Sequence, residues 1–96
     1  MKGGASAPHG RVEITYCTRC KFLLRAGWLA QELLSTFEGE LGEVALRPGT
    51  GGIFEVTLNG ETIASNRDGA PMPDPADVKR LVRDRIAPGR RIGHSG

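Results

Sequence analysis

The stretch RVEITYCTRCKFLLRAGWLAQELLSTF, residues 11–37, contains the two patterns that decide the fold. Its first six residues alternate between polar and apolar side chains, which is typical of a strand with one covered face. From Cys20 to Phe37 the apolar residues instead recur close to the helical period. Cys17 and Cys20 lie where the strand pattern ends and the helix pattern begins. The stretch therefore predicts a strand and a helix joined by a CxxC motif.

Three further strands are predicted after this first helix. Asn59-Gly60 is the strongest short-range signal for a two-residue hairpin turn, so the strands on either side of it are expected to pair antiparallel. The glycine-rich run at 48–52 predicts a flexible turn, and the sequence leaves open whether this turn lies beside the cysteines. The three predicted strands span residues 43–47, 53–58 and 61–65.

The helix ends also follow from the residue types. Gly39 and Gly42 are expected to end the first helix, because glycine readily adopts the left-handed conformation that commonly follows a helix. A second helix is predicted to begin at Pro75, since Asp74 can cap its first turn and proline suits the first helical position. The buried stripe of this second helix is predicted to contain Val78, Leu81, Val82 and Ile86.

The predicted order of elements is therefore β-α-β-β-β-α. The first strand–helix–strand unit is expected to be a right-handed parallel crossover, and the hairpin adds an antiparallel pair. Because the strands alternate between polar and apolar residues, the helices are expected to cover only one face of the sheet. The prediction is an α/β fold, a thioredoxin-like two-layer sandwich with a mixed four-stranded sheet and both helices on one face.

Length and composition predict one small domain. The chain has 96 residues, a net charge of +2 and 39% hydrophobic residues. We expect a flexible head at residues 1–10, a compact domain at 11–87 and a flexible tail at 88–96. No apolar segment resembles a secretory signal or a membrane span, so a cytoplasmic protein without a membrane partner is expected. The basic residues of the last third are most simply a solvated helix face, and no nucleic-acid partner is expected.

Cys17 and Cys20 are the candidate catalytic residues. In a reducing compartment a permanent structural disulfide is disfavoured, so a cysteine pair there favours a redox or a metal-binding role. Two intervening residues let both sulfurs meet on one helical turn, where the free amides of the helix N-terminus stabilise a thiolate. Arg19 and Lys21 flank Cys20 and are expected to lower the thiol pKa further. One thiolate would attack a disulfide, a peroxide or a sulfenic acid, and the other cysteine would resolve the mixed species.

Two other interpretations of the pair stay open. A zinc or iron–sulfur site needs about four protein ligands, and the only histidines, His9 and His94, lie in the predicted head and tail. No metal is therefore expected in a single chain, although two CxxC pairs could share one metal in a dimer. The cysteines could also be buried and chemically idle. An edge strand of so small a sheet could in turn support a homodimer.

Several further segments accompany the CxxC motif. They are Ala30–Leu34, Gly52–Val56, Asn59-Gly60, Arg67–Gly69 and the helix from Pro75. Together with the two cysteines, and over residues 11–87, this combination resembles the selenoprotein W-type (Rdx) family, which groups selenoproteins W, T and H with cysteine-containing bacterial relatives. The resemblance implies a thioredoxin-like fold and a redox function without a bound cofactor. It also implies glutathione as a reductant, or thiol-containing proteins as partners.

The resemblance bears on which sulfur attacks first. Animal selenoproteins of this family have selenocysteine at the second position of the motif, which favours Cys20 as the attacking residue. In thioredoxin the first cysteine attacks, which would favour Cys17. Two functions remain: a thiol–disulfide oxidoreductase that cycles both cysteines, and a redox-sensing module that binds a protein partner without turnover.

Overall fold

Six main elements follow one another in the predicted order. The computed structural model describes residues 10–91, and no helix within that range has the length and apolar content that crossing a membrane requires. The elements are β1 (Gly10–Cys17), α1 (Phe22–Thr36), β2 (Leu41–Gly49), β3 (Phe54–Leu58), β4 (Glu61–Ser65) and α2 (Pro75–Ile86), with a short 3-10 turn at Arg67–Gly69.

The sheet is mixed and has the strand order β2-β1-β3-β4. β1 pairs parallel with β2 and antiparallel with β3, and β3 pairs antiparallel with β4 through the hairpin at Asn59-Gly60. The predicted α/β fold with a mixed four-stranded sheet is thus confirmed. Because β1 has a partner strand on each side, its last residue, Cys17, lies between β2 and β3 at one end of the strands.

One face of the sheet carries the apolar core. Val12, Ile14 and Tyr16 of β1 are buried, and each lies directly opposite a buried residue of β3. Both helices contribute to this single cluster, which confirms that they cover one face. Its main members from β3, α1 and α2 are Phe54, Val56, Leu58, Ala26, Leu29, Leu33, Val78 and Val82.

The opposite face of the sheet is charged. Arg47 lies 3.0 Å from Glu13, and Arg67 lies 2.8 Å from Glu55. The first ion pair joins the neighbouring strands β2 and β1, and the second joins β3 to the turn after β4. Opposite charges on cross-strand neighbours suit a solvated sheet face and contribute little individually.

The start of α1 differs from the prediction. The helix begins at Phe22, so Cys20 lies in the preceding turn and the expectation that it enters the first helical turn is wrong. The reason is the backbone of Lys21, which adopts a left-handed conformation with φ of 58°. A residue in that conformation cannot continue a right-handed helix, and it directs the chain into α1 from a tight turn.

The segment after α1 also differs in detail. α1 ends at Thr36 and Gly39 lies in the following turn with φ of 93°, whereas Gly42 belongs to β2 and does not end the helix. Pro48 and Gly49, predicted in a turn, are the last two residues of β2. The strand extends at both ends because its full length pairs with β1, a neighbour that local pattern alone cannot reveal.

The second helix begins as predicted. Asp74 accepts hydrogen bonds through Oδ2 from the amides of Ala76 and Asp77, at 3.1 and 3.3 Å, and Pro75 occupies the first helical position. Val78 and Val82 are buried as expected, whereas Leu81 and Ile86 are only half-buried. Each cap hydrogen bond satisfies an amide that has no partner within the helix.

An ion pair joins the two helices. Lys79 of α2 is buried, and its Nζ lies 2.7 Å from Oε1 of Glu32 in α1. The apolar stem of the lysine packs between the helices while its ammonium group reaches a carboxylate at the rim. This contact was not predicted, since Lys79 adjoins the expected apolar stripe without belonging to it.

The ends of the chain lie partly outside the described residues. The predicted flexible head, apart from Gly10, and residues 92–96 of the predicted tail fall there, as do His9 and His94. Within the described part, Arg90 donates to a carboxylate oxygen of Glu40 at 2.6 Å. The domain boundaries at 11 and 87, and the homodimer, stay predictions.

Gly27 provides a test of the α1 assignment. A Cβ atom added at this position meets no other atom within 4 Å. We expect Gly27→Ala to raise the free energy of unfolding by about 0.5–1 kcal/mol, because alanine loses less conformational entropy in a helix. Denaturant-induced unfolding measures the change.

The control for this variant is a glycine in a crowded position. A Cβ atom at Gly49 would lie 2.9 Å from Cγ2 of Ile53 and 3.0 Å from Cγ2 of Thr15. Gly49→Ala should therefore destabilise the protein, by about 1–3 kcal/mol. The same sign of effect at both glycines would contradict the packing described here.

Candidate redox site

Backbone hydrogen bonds fix the end of β1 from two sides. The amide of Cys17 donates to the carbonyl of Ile53 at 2.8 Å, and the amide of Thr18 donates to the carbonyl of Gly49 at 3.2 Å. The glycine-rich loop between β2 and β3 therefore lies directly beside the cysteine pair, which answers the question that the sequence left open. The strand order places this loop there, because β2 and β3 flank β1.

The turn at residues 18–21 brings the two cysteines together. Both are free thiols, and the Sγ of Cys20 donates a hydrogen bond to the Sγ of Cys17 at a distance of 2.9 Å. A disulfide bond is about 2.05 Å long, so the sulfurs need to approach by less than 1 Å to become bonded. The left-handed backbone of Lys21 closes the turn just before α1 begins. The geometry suits reversible disulfide formation.

The two sulfurs differ in their access to solvent. Cys17 is only 2% exposed, whereas Cys20 is an exposed residue. Cys20 is therefore the more accessible cysteine of the pair. Sequence spacing could not reveal this difference, because both cysteines adjoin the same helix end.

The two thiols also differ in acidity. The hydrogen bond from the Cys20 thiol lowers the pKa of Cys17, and the backbone amides of Gly52, Arg19 and Cys20 lower it further against the opposing effect of burial. Donating that hydrogen bond, together with burial and the negative charge on Cys17, raises the pKa of Cys20. The two thiols are coupled through this hydrogen bond, and the negative charge is favoured on Cys17.

The predicted pKa-tuning residues are found beside the pair. Arg19 and Lys21 are both exposed in the turn that contains Cys20. Arg19 lowers the pKa of Cys17 through its backbone amide. A role for the two cationic side chains in tuning either thiol stays a prediction.

Asn66 organises the loop beside the cysteines. Its Oδ1 accepts a hydrogen bond from the amide of Phe54 at 2.8 Å, and its Nδ2 donates to the carbonyl of Gly52 at 2.8 Å. It thereby holds the loop whose Gly52 amide faces the sulfur of Cys17. The sequence prediction missed this residue, because Asn66 occurs among turn-forming residues and gives no separate signal.

A polar groove of about 650 Å³ opens next to this loop. Thr15 of β1 forms its floor, and the two walls are the loop after β2 and the turn after β4. It lies on the charged side of the sheet, away from the helices. The wall residues are Gly49–Ile53 and Asn66–Gly69.

Among residues 10–91, no three His, Cys, Asp or Glu side chains come together in an arrangement that could hold a metal ion. Cys17 and Cys20 together provide two sulfur ligands, and a structural zinc site uses four ligands. A zinc site built on this pair would therefore need further ligands from outside residues 10–91 of this chain.

Comparison with known proteins identifies the family. The model of the Rdx family matches residues 11–84. The chain belongs to the Rdx family. This membership confirms the resemblance to selenoprotein W-type proteins that the sequence segments indicated.

Two crystal structures are similar to this Rdx protein. One, from Bordetella parapertussis, has 49% sequence identity and a TM-score of 0.76, with 80% of this chain and 98% of that chain covered. The other is a selenoprotein W-related protein from Vibrio cholerae, with 44% identity, a TM-score of 0.73, and 78% and 94% of the two chains covered. None of the curated proteins compared with the chain matches it. These neighbours support the thioredoxin-like fold.

The difference in acidity between the thiols can be measured by thiolate absorbance as a function of pH. We expect one thiol to titrate below the ordinary cysteine pKa of 9.0 and the other above it. In Cys20→Ala the pKa of Cys17 should rise towards 9.0, because the thiol donor is lost. Cys20→Ser should have a smaller effect, since the hydroxyl can still donate. Two thiols that titrate together near 9.0 would contradict the arrangement.

The role of Asn66 can be tested separately. Asn66→Ala should lower the free energy of unfolding by about 1–3 kcal/mol, because the Phe54 amide and the Gly52 carbonyl lose their partner. It should also raise the pKa of Cys17, since the Gly52 amide is held less firmly. Asn66→Asp keeps an acceptor for the Phe54 amide and should lose less stability. Equal losses in both variants would mean that the side chain does not hold the loop through these hydrogen bonds.

Proposed function

We propose that this Rdx protein is a thiol–disulfide redox protein that cycles Cys17 and Cys20 between the dithiol and the disulfide. The observation that supports this most directly is the pair of free thiols with sulfurs 2.9 Å apart, one buried and one exposed. A buried, hydrogen-bonded thiolate beside an accessible thiol provides both partners of a disulfide exchange. Membership of the Rdx family agrees with this function.

The first step begins at the exposed sulfur. The Cys20 thiol passes its proton along the hydrogen bond to the Cys17 thiolate as its sulfur attacks a substrate disulfide, R–S–S–R′. A bond forms between the Cys20 sulfur and R–S, the substrate disulfide breaks, and R′–S⁻ leaves and takes a proton from water. Cys17 thus acts as the base for the attack by Cys20, whereas its own burial prevents Cys17 from attacking the substrate directly.

The second step resolves the mixed disulfide. Cys17 returns its proton to solvent, and its thiolate attacks the Sγ of Cys20. A Cys17–Cys20 disulfide forms and R–S⁻ leaves to be protonated. The amides of Gly52 and Arg19 that lower the pKa of Cys17 stabilise the attacking thiolate. In sum, two cysteine thiols lose two electrons and one substrate disulfide becomes two thiols.

Glutathione is the proposed reductant, and no bound cofactor takes part. One glutathione thiolate attacks the exposed sulfur of Cys20 and releases Cys17; a second attacks the glutathione sulfur of the mixed disulfide and releases Cys20. Exposed Arg19 and Lys21 lower the electrostatic cost of bringing this anion to the site. Thiol-containing proteins would be the alternative reaction partners. A cytoplasmic setting is part of the proposal, because the glutathione pool there is reducing.

A redox-sensing binding module is the second candidate. The exposed apolar side chain of Leu24, four residues after Cys20, supports an interaction surface beside the thiols. This candidate requires that oxidation of the pair changes the binding of a partner and that no turnover occurs.

The proposal is tested by mass spectrometry of the protein after brief exposure to hydroxyethyl disulfide and rapid alkylation. The wild type should lose two hydrogens as the Cys17–Cys20 disulfide forms. Cys17→Ser should accumulate the mixed disulfide on Cys20, and Cys20→Ser should react at least about tenfold more slowly, because its remaining sulfur is buried. A mixed disulfide that forms on Cys17 at the wild-type rate would contradict the assigned order of attack.

Turnover separates the two candidate functions. With glutathione as reductant, the wild type should catalyse disulfide reduction continuously, and Cys20→Ser, which lacks the exposed sulfur, should lose this activity. Formation of the internal disulfide without any turnover would favour the redox-sensing module. Failure of the wild type to form the disulfide at all would overturn the redox proposal.

A further inference from the structure

The first two turns of α1 expose apolar side chains that the packing of the helix does not use. Leu24 is 81% exposed, Leu23 50% and Trp28 45%. These three side chains, called here the α1 patch, are three of the five strongly exposed large apolar side chains of residues 10–91. Isolated exposed leucines are common on protein surfaces, but a cluster of this kind marks an interaction site.

Two members of the α1 patch, Leu24 and Trp28, face away from the core. Leu24 and Trp28 are one helical turn apart and therefore lie on the same face. The helix buries its opposite face, through Ala26, Leu29 and Leu33, against the sheet. The apolar surface is thus additional to the stripe that holds α1 on the sheet.

The patch adjoins the exposed sulfur of the redox pair. Leu23 and Leu24 follow Cys20 by three and four residues, which limits the distance between the Cα atoms of Leu24 and Cys20 to about 14 Å even for an extended chain. A polypeptide whose disulfide reaches the Sγ of Cys20 can therefore contact the first turns of α1. A small disulfide can react without covering this surface.

The charges around the patch have one sign. Arg19 and Lys21 shortly precede it in the chain, Arg25 follows Leu24, and all three are exposed. The sequence has no carboxylate between Glu13 and Glu32. Within residues 10–91 none of these three cations makes an ion pair, whereas eight other lysine and arginine side chains do. The surface beside Cys20 is thus apolar at its centre and positive at its rim, without compensating anions of its own.

We propose that the α1 patch and these three cations form the docking surface for protein substrates of the redox pair. The matching substrate is a polypeptide segment in which the cysteine or disulfide is flanked by an apolar side chain and by carboxylates. Apolar burial against Leu24 and Trp28 and charge complementarity with the rim would hold the segment during exchange. This inference rests on the proposed redox function and names its substrate class.

An anionic lipid surface is the other partner that an apolar and basic helix suits. The outer face of α1 favours a protein segment instead, because it continues with the exposed polar residues Gln31 and Ser35. The apolar surface therefore ends after two turns, which is short for a helix that lies on a membrane.

The test uses two cysteine peptides of equal length, each joined through a disulfide to a thionitrobenzoate chromophore. One peptide has leucine and glutamate around its cysteine, and the other has serine and lysine. The Cys20 sulfur attacks the peptide sulfur and displaces the coloured aryl thiolate; Cys17 then attacks Cys20 and releases the peptide thiol. The protein dithiol is oxidised by two electrons, and the mixed disulfide is reduced to two thiols.

We expect the leucine–glutamate peptide to react about tenfold faster at low salt, with a smaller difference at high salt. Leu24→Ala and Arg25→Glu should each remove most of this preference. Leu34→Glu is the matched control, since Leu34 is an exposed leucine of the same helix, 42% exposed and two to three turns further from Cys20. This control should keep the wild-type preference.

Hydroxyethyl disulfide, which is small and uncharged, separates the two proposals. All variants should reduce it at the wild-type rate. Failure of the wild type with this compound and with both peptides would overturn the redox function itself. Reaction with this compound without discrimination between the peptides, or an equal loss in Leu34→Glu and Leu24→Ala, would overturn the docking surface alone. Sedimentation with phosphatidylserine vesicles that is lost in Leu24→Ala would assign the α1 patch to lipid and also overturn it.

Discussion

The redox site depends on how the end of β1 is held between its two neighbouring strands. The amide of Cys17 donates to the carbonyl of Ile53, just before β3, and the amide of Thr18 donates to the carbonyl of Gly49, at the end of β2. Because β1 is central, Cys17 cannot move far without breaking strand pairing. The same arrangement brings the Gly52 amide to the sulfur of Cys17. The thiolate at Cys17 is thereby stabilised by the thiol of Cys20 and by backbone amides of the surrounding turn and loop.

The two cysteines meet different requirements of a thiol–disulfide exchange: Cys17 stabilises a negative charge, and Cys20 is exposed. Burial protects Cys17, and hydrogen bonds stabilise its negative charge; exposure gives Cys20 access to substrates, and its proton is shared with its neighbour. The left-handed turn at Lys21 makes this possible, because it releases Cys20 from the helix and directs it back towards Cys17. If the helix began at Cys20, regular helical geometry would fix the backbone of this residue instead.

The helix that follows has two faces with different roles. Ala26, Leu29 and Leu33 hold α1 on the sheet, and the ion pair between Glu32 and Lys79 joins it to α2. A helix anchored in this way tolerates an outer face that contributes little to stability. Under the proposed docking role, the exposed apolar side chains beside Cys20 are available for recognition, together with the neighbouring cations that make no ion pair within residues 10–91.

Local patterns determined the order of the elements, the hairpin at Asn59-Gly60, the start of α2 at Pro75 and the position of the CxxC motif, because periodicity and turn chemistry act over a few residues. The family resemblance followed from the same segments. Only the tertiary structure decided that Cys17 is the buried sulfur, that Cys20 precedes the helix, and which loop faces the pair. The burial of Cys17 and the position of the facing loop depend on strands about 30 residues or more further along the chain, whose pairing leaves no local signal in the sequence. The start of the helix depends on the left-handed backbone of Lys21, a lysine that gives no turn signal.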